Sequence, residues 1–201
     1  MYDSIQGKFY GNGGTGAYIP GPEKQFLPAE FIELKYIEST GTQYIDTNFK
    51  ANNNTRVLMD VEATSTATGF YFGGRTTGQS KTYTFVHING TQIRSDFNTT
   101  QSAYNITSAL KRMRIDKNGA TCKSNENTIS NTAGTFQCDY NLFLFTANHA
   151  GFPDVSYISA KLYRCTIYDN GTIVRDFIPC KERNSNTVGL YDVINNVFYT
   201  N

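Results

Sequence analysis

The chain has no tryptophan, only five prolines and only four cysteines in 201 residues, and neither sign of charge dominates. Lys and Arg number 18 against 17 Asp and Glu, a formal net charge of +1. That balance leaves no basic stripe of the kind a phosphate backbone requires, so nucleic acid is not the expected partner. No apolar run approaches the ~20 residues that cross a bilayer, and Met1-Tyr2-Asp3-Ser4 does not open a charged and then apolar leader. Membrane insertion is not expected. A helical period never persists for three turns, which argues against a helix bundle. Gly11-Asn12-Gly13-Gly14-Thr15-Gly16 lacks the following helix of a phosphate cradle and reads as a turn. The cysteines form no CxxC, so zinc is not expected, and neither His87 nor His149 sits in a nucleophile elbow.

What the chain does have is 14 Tyr and 14 Phe alongside abundant Thr, Ile and Val, a composition suited to half-buried pleated surfaces. Short strand-like runs fall at 31–37, 43–47, 56–63, 69–75, 81–87 and 92–97, then at 110–116, 141–146, 160–168, 172–180 and 189–193. Asn89-Gly90, Asn118-Gly119 and Asn170-Gly171 punctuate them as hairpin turns. The pattern predicts an all-β fold, a two-sheet antiparallel β-sandwich, over residues 30–201. Residues 1–29 carry turn chemistry and no apolar period, which marks them as a separate linker region ending near Pro28.

The turns also bear on the cysteines. A two-residue turn at Asn170-Gly171 pairs Tyr168 with Ile173, Ile167 with Val174 and Cys165 with Asp176. Cys180 then falls opposite Lys161, roughly 13 Å along the ladder from Cys165, too far for a bridge. The Asn118-Gly119 turn sets Cys122 opposite Ile115 on an apolar face, where a free thiol behaves as a small hydrophobe. Buried thiols are expected, with Cys122 to Cys138 the pairing least disfavoured.

Residues 2–12, Tyr-Asp-Ser-Ile-Gln-Gly-Lys-Phe-Tyr-Gly-Asn, align without a gap with residues 191–201, Tyr-Asp-Val-Ile-Asn-Asn-Val-Phe-Tyr-Thr-Asn. The shared Tyr, Asp, Ile, Phe, Tyr and Asn keep one register at an offset of 189 residues, from Tyr2 to Tyr191. Residues 1–29 therefore read as the tail of a preceding repeat plus a Gly/Pro linker. Glu38-Ser39-Thr40-Gly41-Thr42-Gln43-Tyr44-Ile45-Asp46-Thr47, Leu142-Phe143-Leu144-Phe145, Lys161-Leu162-Tyr163 and Arg175-Asp176-Phe177-Ile178-Pro179-Cys180 resemble laminin-G-like, concanavalin A-like jelly-roll modules of phage, prophage and gut-bacterial surface proteins. The resemblance covers residues 31–201 and is specific to the module, not to an activity. It implies a Gly-Thr-Gly-aromatic strand after residue 201, a piece found here at residues 13–18. That places the stretch Gly16 to Ile19 as an expected filler of a sheet edge, in its own module or a neighbouring chain.

The chemistry expected of the chain is binding, not catalysis. Asp60 and Glu62 share a strand face, but no third acid follows them as a glycosidase cleft would need. Tyr71, Tyr83, His87, Arg94 and Tyr104 lie on adjacent predicted strands or loops and offer a candidate ligand-binding platform, although core packing explains the tyrosines equally well. Arg75 joins them, because Gly73-Gly74 would expose backbone beside it. Asp176 shares a predicted face with Ile167, Val174, Tyr163 and Ile178 and is expected to be a structural acid held by a backbone group or an arginine. No cofactor is expected. Calcium at a loop rim is the one ion the resemblance leaves open, and no Asp cluster marks a site for it. The resemblance and the repeat together imply a non-enzymatic adhesion or receptor-binding module, exposed on a virion or cell surface, with a glycan, a host receptor or other copies of the module as partner. The alternative is a structural spacer that assembles with other copies by strand addition.

Overall fold

The computed structural model describes residues 27–78, 80–125 and 127–201, together with 2–3 and 8–9. Two sheets face one another. The larger runs in the order Asn127–Ser130, Thr121–Ser124, Arg112–Asn118, Thr55–Ala63, Ser159–Asp169, Thr172–Glu182, Val188–Asp192 and Val197–Tyr199, with Phe31–Glu33 and Ile37–Thr40 as added strands. The smaller runs Thr100–Asn105, Gln92–Asn98, Thr82–Ile88, Gly69–Arg75, Phe143–Leu144 and Ile45–Asp46. Almost every pairing is antiparallel; Ala147–His149 lies parallel to the end of Gly69–Arg75. The sandwich expected from the turn spacing and from the jelly-roll resemblance is the fold observed. The expected loop at 11–16 and the edge-filling strand at 16–19 lie outside the described residues.

Alternation places the core between the sheets. Thr55, Val57, Met59, Val61 and Ala63 point inward, while Arg56, Leu58, Asp60 and Glu62 point out. Met113, Ile115 and Lys117 do the same on the neighbouring strand, and Tyr71, Phe72, Tyr83, Phe85, Ile93 and Phe97 answer from the smaller sheet. The Tyr83 hydroxyl ties the sheets together. It sits 2.8 Å from the Thr55 carbonyl and 2.9 Å from the Lys117 carbonyl, sharing one proton between two strands of the opposite sheet. All four cysteines are free and buried. Burial pushes Cys122 and Cys138 up to about 12 and Cys180 up to about 11, so none is a ready nucleophile.

Two hairpins depart from their expected register with opposite consequences. At the Asn118-Gly119 turn Cys122 pairs with Lys117, not Ile115. That slip moves the pairing by two residues, so Cys122 stays on the inner face. At Asn170-Gly171 the first pairs form as expected, Asp169 with Thr172 and Tyr168 with Ile173. A bulge between Ile167 and Tyr168 then sets Ile167 against Arg175, Thr166 against Asp176 and Cys165 against Phe177. One extra residue reverses the faces. Asp176 therefore leaves the core, contrary to the expected face, and Phe177 enters it. On the outer surface the Asp176 carboxylate accepts Nε and Nη2 of Arg164 at 3.2 and 2.6 Å and the Thr166 hydroxyl at 2.9 Å. An arginine does hold the carboxylate, but on the outer face and not in the core. Phe177→Ala should cost about 3–5 kcal/mol by cavity formation, and Asp176→Ala only about 1 kcal/mol, as for a partly exposed pair. Urea unfolding of both variants checks this; equal losses, or a larger loss at Asp176, would contradict the bulged register.

Among the described residues Lys117 is the one lysine with no exposure, and its ammonium sits in the aromatic core. Nζ donates to the Ser95 hydroxyl at 2.6 Å and lies 4.6 Å from the centre of the Tyr83 ring. Burial lowers its pKa to about 8 from the ordinary 10.5. Below pH 8 the charge is buried at full cost. Between about 8 and 10.5 the folded chain releases this proton before the unfolded chain does, so the contribution of this group to stability rises with pH. The four buried thiols oppose it over the same range, because they ionise first in the unfolded chain. Lys117→Met should add about 1–4 kcal/mol at pH 7, as when a buried ion is replaced by an apolar group of similar volume. Its stability advantage over the parent in urea unfolding should shrink as pH rises from about 8 to about 10, since the thiols are common to both chains. A less stable variant at pH 7 would show that the ammonium is a net stabiliser.

Candidate functional site

The residues singled out in the sequence do not form one site. Tyr71, Tyr83 and His87 are core residues, not a ligand platform. A bulge between Phe70 and Phe72 turns both Tyr71 and Phe72 inward. His87 is fully buried; its Nε2 donates to the Ala67 carbonyl at 2.5 Å, which leaves Nδ1 to accept from the Tyr71 hydroxyl at 3.1 Å. Burial holds its pKa below the usual histidine value and favours this neutral form. Each ring carries a polar tip that finds a partner inside, which is how such side chains are tolerated in a core.

Arg75 and Arg94 lie on the outer face of the smaller sheet, at opposite ends. Arg75 donates to Asp154 and its guanidinium stands 5.3 Å from the Phe70 ring. The glycines before it do not expose backbone to a ligand. A Cβ on Gly73 would come within 2.7 Å of Thr84 Cγ2, and one on Gly74 within 3.2 Å of the carbonyls of Tyr140 and Asn141. They are close-packing positions. Arg94 bonds Asp96 through Nε and Nη2 at 2.9 and 3.2 Å, and Asp96, fully buried, also accepts from Thr84 at 2.8 Å. Tyr104 is exposed on the edge strand Thr100–Asn105, beside a cleft of about 320 Å³ shared with Met113 and Asn127.

A larger concavity lies on the other side of the molecule, across the outer face of the larger sheet. It is a groove of about 830 Å³ floored by Leu58 and walled by Arg56, Asp60, Arg114, Asp116 and Arg164. A second trough of about 650 Å³ adjoins it through Asp116 and Lys123 and reaches the loop asparagines Asn53, Asn54, Asn118 and Asn170. Period-two alternation supplies the lining: each second residue of Thr55–Ala63 and Arg112–Asn118 points here. A bulge between Leu162 and Arg164 resets Ser159–Asp169 so that Arg164, Thr166 and Tyr168 join the same face.

The guanidinium forks are already set. Arg56 grips Asp116 at 2.8 and 2.7 Å, and Arg112 grips Asp60 at 2.7 and 2.8 Å. Arg164 grips Asp176 beside them. Tyrosine rings hold the arginines from behind: Arg112 lies 3.7 Å over Tyr163, and Arg56 lies 5.5 Å over Tyr168. Glu62 accepts the Tyr163 hydroxyl at 2.7 Å. Asp60 and Glu62 do share a face, as expected, and each is engaged by a neighbour. Two cations remain over: among the described residues Arg114 and Lys123 make no ion pair, although both line the groove. Preset forks, asparagine amides and an apolar floor present fixed hydrogen-bonding groups at little ordering cost.

Among the described residues no group of three or more His, Cys, Asp or Glu side chains is placed to hold a metal ion. No described helix is long and apolar enough to cross a membrane. The groove was missed in the sequence because its residues come from four strands. The available signal was the charge at alternate positions of 56–62 and 112–116.

No protein-family model matches the sequence, and no curated protein does. Solved structures are similar in fold. Domains LG4-5 of the mouse laminin alpha1 chain superpose with a TM-score of 0.45 at 9% identity, covering 72% of this chain and 42% of that one. The chain therefore spans less than half the length of that laminin fragment. The CBM40 of the Ruminococcus gnavus IT-sialidase bound to alpha2,3 sialyllactose gives a TM-score of 0.48 at 15% identity, covering 71% of this chain and 91% of that one. The same CBM40 in a second structure gives 0.46 at 14% identity with the same coverage.

Proposed function

We propose that the chain is a non-catalytic binding module that takes a polyhydroxylated ligand, a saccharide, in the groove across the outer face of its larger sheet. The observation that carries this reading is the preset array on that face. Three arginine–aspartate forks, each locked in two-point geometry, surround the apolar floor at Leu58 and run into a trough of asparagines. A sugar ring offers the complement, hydroxyls at fixed spacing around an apolar face, and the groove's volume falls within the range usual for ligand sites. Binding at one such shallow site is weak, and display in several copies on a virion or cell surface would raise it through avidity. The rival reading, a spacer that assembles with other copies, draws on the two matching hairpins and makes no use of the groove.

A broad glycan array with the isolated chain separates the two. Reproducible millimolar or tighter binding supports the saccharide reading, and silence across the array supports the spacer. For any saccharide bound, Leu58→Arg should fill the floor of the groove and weaken binding at least tenfold, with a melting temperature within a few degrees of the parent. Arg94→Ala and Tyr104→Ala, on the other sheet, should leave affinity unchanged. Loss of binding in Arg94→Ala with retention in Leu58→Arg would move the site to the smaller sheet.

A further inference from the structure

The hairpin at the C-terminal end of the larger sheet is held by a small set of side chains, and most have an identical counterpart near the start of the chain. Val188–Asp192 pairs with Thr172–Glu182, and Val197–Tyr199 folds back on it with Asp192 opposite Val197 and Tyr191 opposite Phe198. The rings of Tyr191 and Phe198 lie 5.0 and 4.8 Å from Phe31, and Tyr199 meets Phe177 edge-on at 5.3 Å. The Asp192 carboxylate is fully buried. It accepts the backbone N–H groups of Asp176 and Ile194 at 3.0 and 3.1 Å and the Asn195 amide at 2.6 Å. Asn201 accepts the Tyr44 N–H at 2.7 Å. Asn196, in the turn, holds a left-handed φ of 56°.

Residues 2–12 carry the aromatic anchors, the buried acid and the terminal asparagine at the matching places, as Tyr2, Asp3, Phe9, Tyr10 and Asn12, and Ile5 matches Ile194. Gly7 stands where Asn196 takes its left-handed turn, a conformation glycine adopts freely. Lys8 replaces Val197, which is exposed and tolerates charge. The backbone agrees with the sequence. Tyr2 pairs with Phe9 and Asp3 with Lys8, the register of Tyr191 with Phe198 and Asp192 with Val197 displaced by 189 residues. The weaker matches are Ser4 for the half-buried Val193 and Gln6 for Asn195.

We infer that residues 2–12 are a second docking hairpin for the same slot, and that their acceptor is the larger sheet of a second copy of this chain. One slot cannot hold two hairpins. Within a chain the 191–201 hairpin wins, because a short link tethers it to Thr172–Glu182 and closing that loop costs little. The spare hairpin fits the Phe31, Phe177 and Asp176 backbone contacts of another copy once the resident hairpin of that copy has let go. Each copy carries one donor hairpin and one acceptor slot, so exchange joins copies either reciprocally in a pair or head to tail in a row. The inference is independent of the saccharide reading, which concerns a different face.

Two experiments on the full chain test it. In the first, residues 191–201 are replaced by the sequence of residues 2–12. The graft should melt within about 10 °C of the parent, whereas Asp192→Ala, which removes the buried acceptor, should fall much further. A graft as unstable as Asp192→Ala would overturn the inference, since the spare hairpin would then not fit the slot. In the second, light scattering follows the mass of the chain carrying Asp192→Ala and Phe198→Ala. Weakening the resident hairpin should at least double the mass in a concentration-dependent way, and adding Asp3→Ala and Phe9→Ala should return it to the monomer. A monomer at every concentration, or oligomers that persist after the N-terminal substitutions, would refute the exchange. If the doubly substituted chain is unfolded alone, a synthetic peptide of residues 1–12 should restore a cooperative melt that the Asp3→Ala peptide does not. Failure of the first peptide, or equal success of the second, would also refute it.

Discussion

The structure depends on the strict two-residue alternation of Thr55–Ala63, the strand flanked by Arg112–Asn118 on one side and Ser159–Asp169 on the other. Five of its side chains, from Thr55 to Ala63, fill the space between the sheets, and the four between them form the outer surface. The strand cannot shift by one residue without burying Arg56, Asp60 and Glu62 and exposing Val57, Met59 and Val61. That penalty fixes the register of its neighbours. It also fixes which charges appear outside, so the core and the candidate binding face are two sides of one constraint. The forks on that face contribute little to stability individually, since each pair is partly solvated. Their value lies in holding donors and acceptors at set positions.

Bulges decide where the alternation is reversed, and they account for much of what sequence reading missed. The turn at Asn170-Gly171 was legible, because an Asn-Gly pair tolerates the positive φ values seen there, 48° and 82°. Nothing in Thr166-Ile167-Tyr168 announces the extra residue that follows the turn, yet it moves Asp176 outside and Phe177 inside. The Asn118-Gly119 hairpin shows the contrast. Its register also differs from the simplest reading, but by two residues, so the inward placement of Cys122 survives. An even slip preserves a face and an odd one inverts it. The strands themselves were readable for the same reason that the faces were not. Gly69–Arg75 was bounded correctly by composition, whereas the bulge inside it sends Tyr71 and Phe72 to the same side.

Polar tips on large side chains were the second obstacle. Tyr71, Tyr83 and His87 look like surface ligands in a sequence, because hydroxyl and imidazole groups ask for partners. Here the partners are internal: Tyr83 spans the two sheets, and His87 links Tyr71 to the Ala67 carbonyl. Lys117 is the extreme case, a charged residue at an inward position whose stem packs on aromatic rings and whose ammonium finds Ser95. The groove lay in residues that read individually as ordinary solvated charges. Only pairing of Arg112 with Glu62, Arg114 with Asp60 and Asp116 with Leu58 across two strands gathers them into one face.

The account ties one face to both the alternation and the ligand, and a single cysteine tests both at once. The four native thiols are buried and contribute no background to labelling of the folded chain by a charged thiol reagent. Leu58→Cys, at the floor of the groove, should label rapidly, and a saccharide identified by array should slow that labelling at least tenfold at saturation. A thiol at position 58 that labels no faster than the native cysteines would contradict the assignment of faces. Rapid labelling unaffected by bound saccharide would contradict the groove as the binding site.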